Sequence, residues 1–130
     1  MKQLTKKVNI EVQVTQHLAN FGGCTLENGK LSTKTSGYWV GLAPVIFSSN
    51  CNAPLNNYDD LHTFIRKFFI LYKDAISVNT VGFWLDDDKN IYIDYVAHLT
   101  KIETAKTVAR ACKQVCIYDI ANKKELYIYE

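Results

Sequence analysis

The stretch GFWLDDDKNIYIDY (Gly82–Tyr95) predicts a β-hairpin, and this hairpin anchors the prediction of the fold. Two aromatic and aliphatic runs flank a short acidic segment, as strands flank a turn. If residues 87–89 form the loop, Asp86 stands opposite Asn90, and apolar residues face each other across the strands. The pairs are then Leu85–Ile91, Phe83–Ile93 and Val81–Tyr95. This face of the hairpin therefore belongs in the core, and Asn90 is expected to adopt the left-handed conformation near the end of the loop.

The opposite face of the hairpin carries Gly82, Trp84, Tyr92 and Asp94. A register shifted by one residue would bury Asp94 among apolar partners, which is costly, so the first register is favoured. An aromatic face, a carboxylate and an open space at Gly82 suit a planar, polar ligand such as a base or a ribose. The alternative is that this face packs under a helix, with Asp94 bonded to a neighbouring Arg, Lys or Tyr.

The acidic run itself is interpreted as a solvated turn. A calcium loop of the EF-hand type needs carboxylates at alternate positions with a glycine and a distal glutamate, and Asp86, Asp87 and Asp88 are adjacent. Adjacent side chains at a strand end point to alternating sides, so these carboxylates do not converge on one ion.

The rest of the chain supplies the other elements of the predicted fold. Alternation predicts a half-buried strand over Lys7–Gln16, and the glycine- and serine-rich segment Phe21–Gly37 predicts a long loop with a tight turn at Glu27–Lys30. The remaining predictions are a strand at Tyr38–Phe47 with Pro44 at an edge or bulge, a helix at Tyr58–Ile76 capped by Asn57, a helix at Thr100–Gln114 with a Thr100/Glu103 capping box, and strands at Val115–Ile120 and Glu125–Tyr129.

These elements predict an α+β fold. Their order is β-β-α-β-β-α-β-β, which suits a mainly antiparallel sheet packed by two helices. The 130 residues are enough for a single domain, 1–130, with one core.

The two predicted helices carry further candidate residues. Phe69 and Ile70 fall outside the apolar stripe of the first helix, which predicts a second contact, either with a second sheet face or with another subunit in a homo-oligomer. Arg66 and Arg110, the only two arginines, lie off the apolar centre of their helices and can bind phosphate in a planar fork. The alternative for each is an ordinary surface pair with Asp59 or Glu103.

Composition limits the classes of function. No apolar run is long enough to span a bilayer, and the basic start is followed by an alternating run instead of an unbroken apolar stretch, so no secretory signal is predicted and a cytoplasmic protein with reduced thiols is expected. A net charge of +2 with dispersed basic residues does not predict a nucleic-acid partner. The four cysteines lack zinc-site spacing, the three histidines have no local nucleophile, and no phosphate-binding or hydrolase motif occurs, so no metal, cofactor or catalytic residue is predicted.

Two segments, Gly22–Leu42 and Gly82–Ile128, resemble small proteins of phages and prophages, mostly without assigned function. The shared pattern is G-G-x-T, a loop, S-G-Y-x-V, then G-x-W, a turn, Y-[IL]-D, a helix and Q-x-[AC]-I-[YW]-D. The residues that fit it are Gly22, Gly23, Thr25, Ser36, Gly37, Tyr38, Val40, Gly82, Trp84, Tyr92, Ile93, Asp94, Gln114, Cys116, Ile117, Tyr118 and Asp119. The resemblance covers about half of the chain and implies a phage-type protein but no activity.

The chain is also similar in size and predicted architecture to the phage anti-Thoeris proteins that sequester cyclic ADP-ribose signals. That resemblance implies an aromatic residue on the hairpin and arginines on the helices around a nucleotide. Phe83 or Trp84 would then stack on a base, and Arg66 and Arg110 would hold phosphates. Apart from the resemblance, Asp94 is expected to accept hydrogen bonds from ribose hydroxyls.

The leading hypothesis is a non-enzymatic counter-defence protein that sequesters a nucleotide-derived signal in the bacterial host cytoplasm. Its expected ligand-binding residues are Phe83, Trp84, Tyr92, Asp94, Arg66 and Arg110. One alternative is a protein–protein inhibitor of a host nuclease or CRISPR complex, which needs an exposed apolar or acidic patch. A small enzyme of unknown chemistry is the other alternative.

Overall fold

The computed structural model describes residues 9–45 and 57–128. These residues form an α+β fold, as predicted, but with three helices instead of two beside one antiparallel sheet. The helices are α1 (Ile10–Phe21), α2 (Tyr58–Val78) and α3 (Ile102–Ala111). The strands are β1 (Gly23–Glu27), β2 (Lys30–Leu31), β3 (Tyr38–Pro44), β4 (Thr80–Leu85), β5 (Ile91–Leu99), β6 (Cys116–Asp119) and β7 (Lys124–Tyr127), in the sheet order β2-β1-β4-β5-β3-β6-β7.

The β4–β5 hairpin has the predicted register. Val81 pairs with Tyr95, Phe83 with Ile93 and Leu85 with Ile91. The backbone N–H of Asp86 donates to the carbonyl of Asn90 at 3.0 Å, which closes the turn where the sequence predicted it. One detail of the prediction is wrong: Lys89, with φ of 66°, takes the left-handed conformation that was assigned to Asn90.

The first predicted strand is wrong, because residues from Ile10 onward form helix α1. Lys7 and Val8 lie outside the described residues. Ile10, Val14 and Leu18 are spaced four apart, so they share one helix face, and Val14 and Leu18 are buried. The Asn9 side chain caps the helix by accepting a hydrogen bond from the N–H of Val12. The alternating apolar and polar residues that predicted a strand therefore lie mostly within this helix.

The predicted long loop is largely wrong, because it contains a second hairpin, formed by β1 and β2. Leu26 pairs with Leu31, and Glu27 pairs with Lys30. Asn28 and Gly29 form the turn with φ of 51° and 81°, so the predicted tight turn is confirmed. Through β1 this hairpin joins β4, which places Gly23 directly opposite Trp84.

Strand β3 crosses the middle of the sheet and is shorter than predicted. It ends at Pro44, and Phe47 lies outside the described residues. The predicted irregularity is a bulge between Gly41 and Ala43. Within the described pairing, the end of β3 that holds Pro44 contacts only β5, because β6 pairs with Tyr38 and Trp39.

Helix α2 has the predicted start, but one of its residues is placed differently. The Asn57 side chain accepts from the N–H of Asp60 at 2.9 Å and caps the helix. Phe69, predicted on the outer face, is only 8% exposed and stacks on Phe83 with ring centroids 6.2 Å apart. Phe69 is therefore a core residue and is not available for a subunit contact, whereas Ile70 is 74% exposed.

Helix α3 is shorter than predicted, and the Thr100/Glu103 capping box is wrong. Its N-cap is Lys101, and no side chain caps it. Ala105 and Ala109 are fully buried, which lets the helix sit close to β3 and β6.

All three helices pack on the same face of the sheet. The odd-numbered residues of β4 and β5 contact α1 and α2 in a first cluster, built from Val14, Leu18, Leu26, Leu61, Ile65, Phe68, Phe69, Ile76, Val81, Phe83, Ile91 and Ile93. A second cluster lies under α3 and contains Val40, Ala105, Ala109, Ile117 and Ile128. Because successive side chains of a strand alternate, the even-numbered residues of β4 and β5 point to the other face.

Candidate functional site

The face of the sheet opposite the helices forms a broad groove with a volume of about 950 Å³. No helix of the described residues packs on its centre. The side chains and backbone along it come from all seven strands, the adjoining turns and the C-terminal part of α1, and include His17, Phe21, Gly23, Thr25, Leu31, Ser32, Lys34, Trp39, Gly41, Trp84, Asp86, Asp87, Tyr92, Asp94, Val96, Gln114, Cys116, Tyr118, Lys123, Lys124 and Glu125. This groove is the candidate ligand site.

The floor of the groove is made by Trp84 lying across two glycines. A Cβ atom added to Gly23 would be 2.5 Å from Cε3 of Trp84, and one added to Gly82 would be 3.3 Å from its Nε1. The benzene part of the indole therefore packs on Gly23 of β1 and its Nε1 packs on Gly82 of β4, so the ring lies against the backbone of two neighbouring strands. Only glycine at position 23 leaves room for this placement.

Tyr118 of β6 also lines the groove and contacts this platform. Its ring lies 5.1 Å from that of Trp84, centroid to centroid, at an angle of 52°. Burial raises the pKa of the Tyr118 hydroxyl, and the nearby carboxylates of Glu125 and Asp119 raise it further. Tyr118 thus stays a neutral hydroxyl that can donate or accept a hydrogen bond beside an aromatic surface.

Asp94 is the half-buried carboxylate of the groove. It stands across from Gly82 on β4 and Pro44 on β3, neither of which offers it a side-chain partner. Among the residues that the structure describes, its carboxylate has no hydrogen bond or ion pair, and burial raises its pKa. The described helices do not cover it, so Asp94 is an acceptor that faces the groove without a protein donor.

Asp86 and Tyr92 shape one rim of the groove. One carboxylate oxygen of Asp86 accepts from the N–H groups of Asp88 and Asn90, and the other accepts from the Tyr92 hydroxyl at 3.2 Å. The bond from the Asn90 backbone is the main reason that the pKa of Asp86 is lowered, while the bond to Asp86 raises the pKa of Tyr92. The first residue of the acidic run is therefore a turn residue that also holds Tyr92.

Cations stand at the edges of the groove. Lys123 and Lys124 come from the turn and strand after β6, and both are exposed. Lys34, at the other side, lies 3.7 Å from the carboxylate of Glu27. The anionic part of a ligand would meet these lysines at the rim.

Three of the six sequence-predicted site residues lie away from this groove. Phe83 is fully buried in the core on the helix side of the sheet, so it cannot stack on a ligand. Arg66 and Arg110 are exposed on α2 and α3, and neither lines the groove. The structure brings together Trp84, Tyr92 and Asp94 and leaves the predicted phosphate-binding arginines elsewhere.

The sequence reasoning missed Tyr118, Gly23 and Gln114. Burial alternates along the strand CIYD, so the sequence could have placed Tyr118 on the face opposite Ile117. The sequence did not indicate that this strand pairs with β3, which determines what Tyr118 contacts. Gly23 was assigned to a loop because glycine is typical of loops, although here it makes room for an indole. Gln114 lies over Gly41, 3.0 Å from where a Cβ atom would be.

The thiols near the groove are poor nucleophiles. Burial raises the pKa of Cys24 to about 12, and burial together with Glu125 raises that of Cys116 to about 11. Both are therefore protonated at neutral pH, and a thiol reacts as its thiolate. Among the described residues, no group of three or more His, Cys, Asp or Glu side chains could hold a metal ion.

No helix within residues 9–45 and 57–128 is long and apolar enough to cross a membrane. Comparisons of the chain with protein-family models, curated proteins and solved structures found no match.

Proposed function

We propose that this protein is a non-catalytic binding protein that sequesters a nucleotide-derived molecule in the groove. The observation that carries the proposal is the Trp84 platform, which packs on glycine beside Asp94, a carboxylate to which no described residue donates a hydrogen bond. A base is planar and has polar edges, so it matches a flat aromatic surface beside an acceptor. The protonated thiols favour binding over covalent chemistry at this site.

Each part of the groove has a role in this proposal. Trp84 and Tyr118 contact the base, Asp94 accepts hydrogen bonds from the ligand, and Tyr92 covers one side. Lys123 and Lys124 take the phosphate contacts that the sequence assigned to Arg66 and Arg110, because they stand at the rim. Stacking on an aromatic side chain contributes about 1–3 kcal/mol per base.

The biological setting of the proposal comes from the resemblance to phage proteins. A phage protein that binds an immune signal tightly in the bacterial cytoplasm lowers the free concentration of that signal. Such a protein needs an enclosing site and no turnover, and the groove is large enough for a mononucleotide or a cyclic dinucleotide.

The experiment is a binding and release assay on the purified protein. It is incubated with cyclic ADP-ribose isomers and cyclic dinucleotides, its melting temperature is measured, and the released material is identified after heating. A raised melting temperature with intact ligand released supports sequestration. If the released ligand is chemically altered, the protein is an enzyme; if no compound raises the melting temperature, the proposal fails.

Two variants locate the site. Trp84→Ala removes the platform and is expected to weaken binding by at least tenfold, because the base loses its stacking partner. Arg110→Ala, on the helix side of the sheet, serves as the control and should bind normally. Loss of binding in Arg110→Ala with normal binding in Trp84→Ala would move the site to the helices.

A second candidate function is inhibition of another protein through α2. Ile70, Leu71 and Val78 are each at least 74% exposed on this helix, and exposed apolar side chains in one region are typical of contact surfaces. We also propose that the chain forms a homo-oligomer through these exposed residues. Phe69, which the sequence assigned to that contact, is not part of it because it is buried in the core.

A further inference from the structure

The charged side chains of the groove are arranged with a carboxylate inside and cations outside. Asp94 is half-buried, whereas Lys123 and Lys124 are exposed at the rim. The other lysine of the groove, Lys34, is also exposed and lies 3.7 Å from the carboxylate of Glu27. Among the residues that the structure describes, no cation pairs with Asp94. Water screens the exposed charges more strongly, so the half-buried carboxylate dominates the field inside the groove.

The Asp94 carboxylate lies beside the Trp84 ring, close to the level of the ring. Gly82 pairs with Asp94 across the strands, and Nε1 of the indole packs on Gly82. Opposite residues of two strands have Cβ atoms about 5 Å apart. Because an aspartate side chain is short and the indole packs on the backbone, the carboxylate adjoins the Nε1 end of the ring and does not rise above it.

The aromatic rings add a second attraction for positive charge at the same place. The face of an aromatic ring carries partial negative charge, so it attracts a cation that lies over it, and tryptophan does so most strongly. Tyr118 contacts Trp84 with ring centroids 5.1 Å apart, and Tyr92 pairs with Trp84 across the strands. The rings and the carboxylate therefore favour a group that is both flat and positively charged.

The attraction between a cation and Asp94 does not require a hydrogen bond of fixed geometry. A ring stacked on the indole lies about 3.5 Å above it, and the Coulomb energy falls only with the inverse of distance. A cationic ring in that place therefore still feels the carboxylate and supplies its missing counter-charge. A neutral ring of the same shape stacks equally well but leaves the half-buried carboxylate without a counter-charge.

We infer that the groove is selective for nucleotides whose planar ring is positively charged. The ring stacks on Trp84 with its charge near Asp94, and the phosphate meets the lysines at the rim. A positive ring and a negative phosphate match the carboxylate inside the groove and the cations outside it. Purines alkylated on a ring nitrogen and pyridinium rings belong to this class. The inference rests on the proposed function and names the class of its ligand.

The test is titration calorimetry at neutral pH with two matched pairs of mononucleotides. In the first pair, 1-methyl-AMP is cationic and its isomer N6-methyl-AMP is neutral. In the second pair, oxidised nicotinamide mononucleotide has a cationic ring and its reduced form has a neutral one. Each cationic member is expected to bind at least about tenfold more tightly than its neutral partner. Equal binding within either pair would mean that charge does not decide affinity, and the inference would be wrong.

Variants show whether Asp94 is the source of the preference. Asp94→Asn keeps the shape of the side chain and removes its charge, so both pairs should then bind about equally. Asp88→Asn, outside the groove, and Glu125→Gln, exposed within it, each remove one negative charge and should keep both preferences. Each preference is a ratio measured on one variant, so partial loss of folded protein cannot imitate the result. A preference that survives Asp94→Asn, or that is lost in either control, contradicts the role of Asp94.

The outcomes separate this inference from the proposed function. Binding of the mononucleotides without regard to charge refutes the selectivity and leaves sequestration standing. If the cyclic compounds bind and none of the four mononucleotides does, the inference fails and the function stands. If neither set binds, both fail.

Discussion

At the scale of single residues, burial of the Asp94 carboxylate costs free energy, and no described residue offsets it with a hydrogen bond or an ion pair. Its carboxylate is half-buried, and its described neighbours across the strands, Gly82 and Pro44, carry no charge and no side-chain donor. An asparagine or a threonine would keep the strand without burying a charge. Residues of this kind are typical of binding sites, where the missing partner belongs to the ligand.

This cost predicts a pH-dependent effect on stability. Burial raises the pKa of Asp94 in the folded chain, so the folded state binds more protons than the unfolded state between the two pKa values. Stability contributed by this site therefore falls as pH rises through that window. Asp94→Asn removes the effect and should be more stable than the wild type at neutral pH.

The gain from Asp94→Asn should vanish in acid, below an unfolded-state pKa of about 4, where both chains are neutral at this position. Urea denaturation at a series of pH values measures it. Asp88→Asn, exposed in the turn, should show no such gain. A gain that is independent of pH would mean that burial of the charge is not its cause.

At the scale of elements, α2 has a buried face and an exposed face that meet between Phe69 and Ile70. Phe68 and Phe69 both face the core, and Phe69 stacks on Phe83, while the next residue, Ile70, faces solvent. Tyr72 departs from helical geometry, with φ of −118° and ψ of 24°, which marks a kink just after this pair. The kinked helix therefore buries two consecutive aromatics that an ideal helix stripe would not predict.

The placement of these residues predicts unequal effects of truncation. Phe69→Ala should lower the free energy of unfolding by about 3–5 kcal/mol, because it removes a buried ring and leaves a cavity. Ile70→Ala, the control, should change it by less than about 0.5 kcal/mol as a surface substitution. Chemical denaturation compares the two. Equal losses would place Ile70 in a protein contact as well.

The contrast between the hairpin and α1 explains which elements could be predicted. The hairpin register could be predicted from the sequence, because a shift of one residue between β4 and β5 would place Asp94 on the apolar face. In α1 the alternating valines fit a strand, but only over a few residues. The features that indicate a helix extend over the whole segment from Asn9 to Gly22. They are the cap at Asn9, the four-residue spacing to Leu18 and the left-handed Gly22 that ends the helix.

The candidate site could be predicted only in part, because some of its residues lie in one hairpin and others come from strands distant in sequence. Residues of one hairpin are adjacent in sequence, so Trp84, Tyr92 and Asp94 could be placed on one face. Tyr118 and Gly23 reach Trp84 from strands whose order in the sheet depends on tertiary packing. Arg66 and Arg110 were assigned by chemistry alone, and the sheet separates their helices from the groove.

At the scale of the whole molecule, the proposed homo-oligomer predicts a change in mass. If α2 mediates association, Ile70→Glu should place a charge in the apolar contact and give a monomer by light scattering. The folded state should persist, because this side chain is 74% exposed. A wild-type chain that is already monomeric at high concentration would refute the oligomer and leave the groove proposal untouched.

The helices pack on one face of the sheet and the groove lies on the other, so core residues and groove residues alternate along the strands. In evolutionary terms, this lets the positions that face the groove vary while their neighbours go on holding the core. A lineage whose ligand changed could replace Tyr92, Asp94 or Tyr118 at little risk to folding. Gly23 and Gly82 would resist such change, since they give the indole its place.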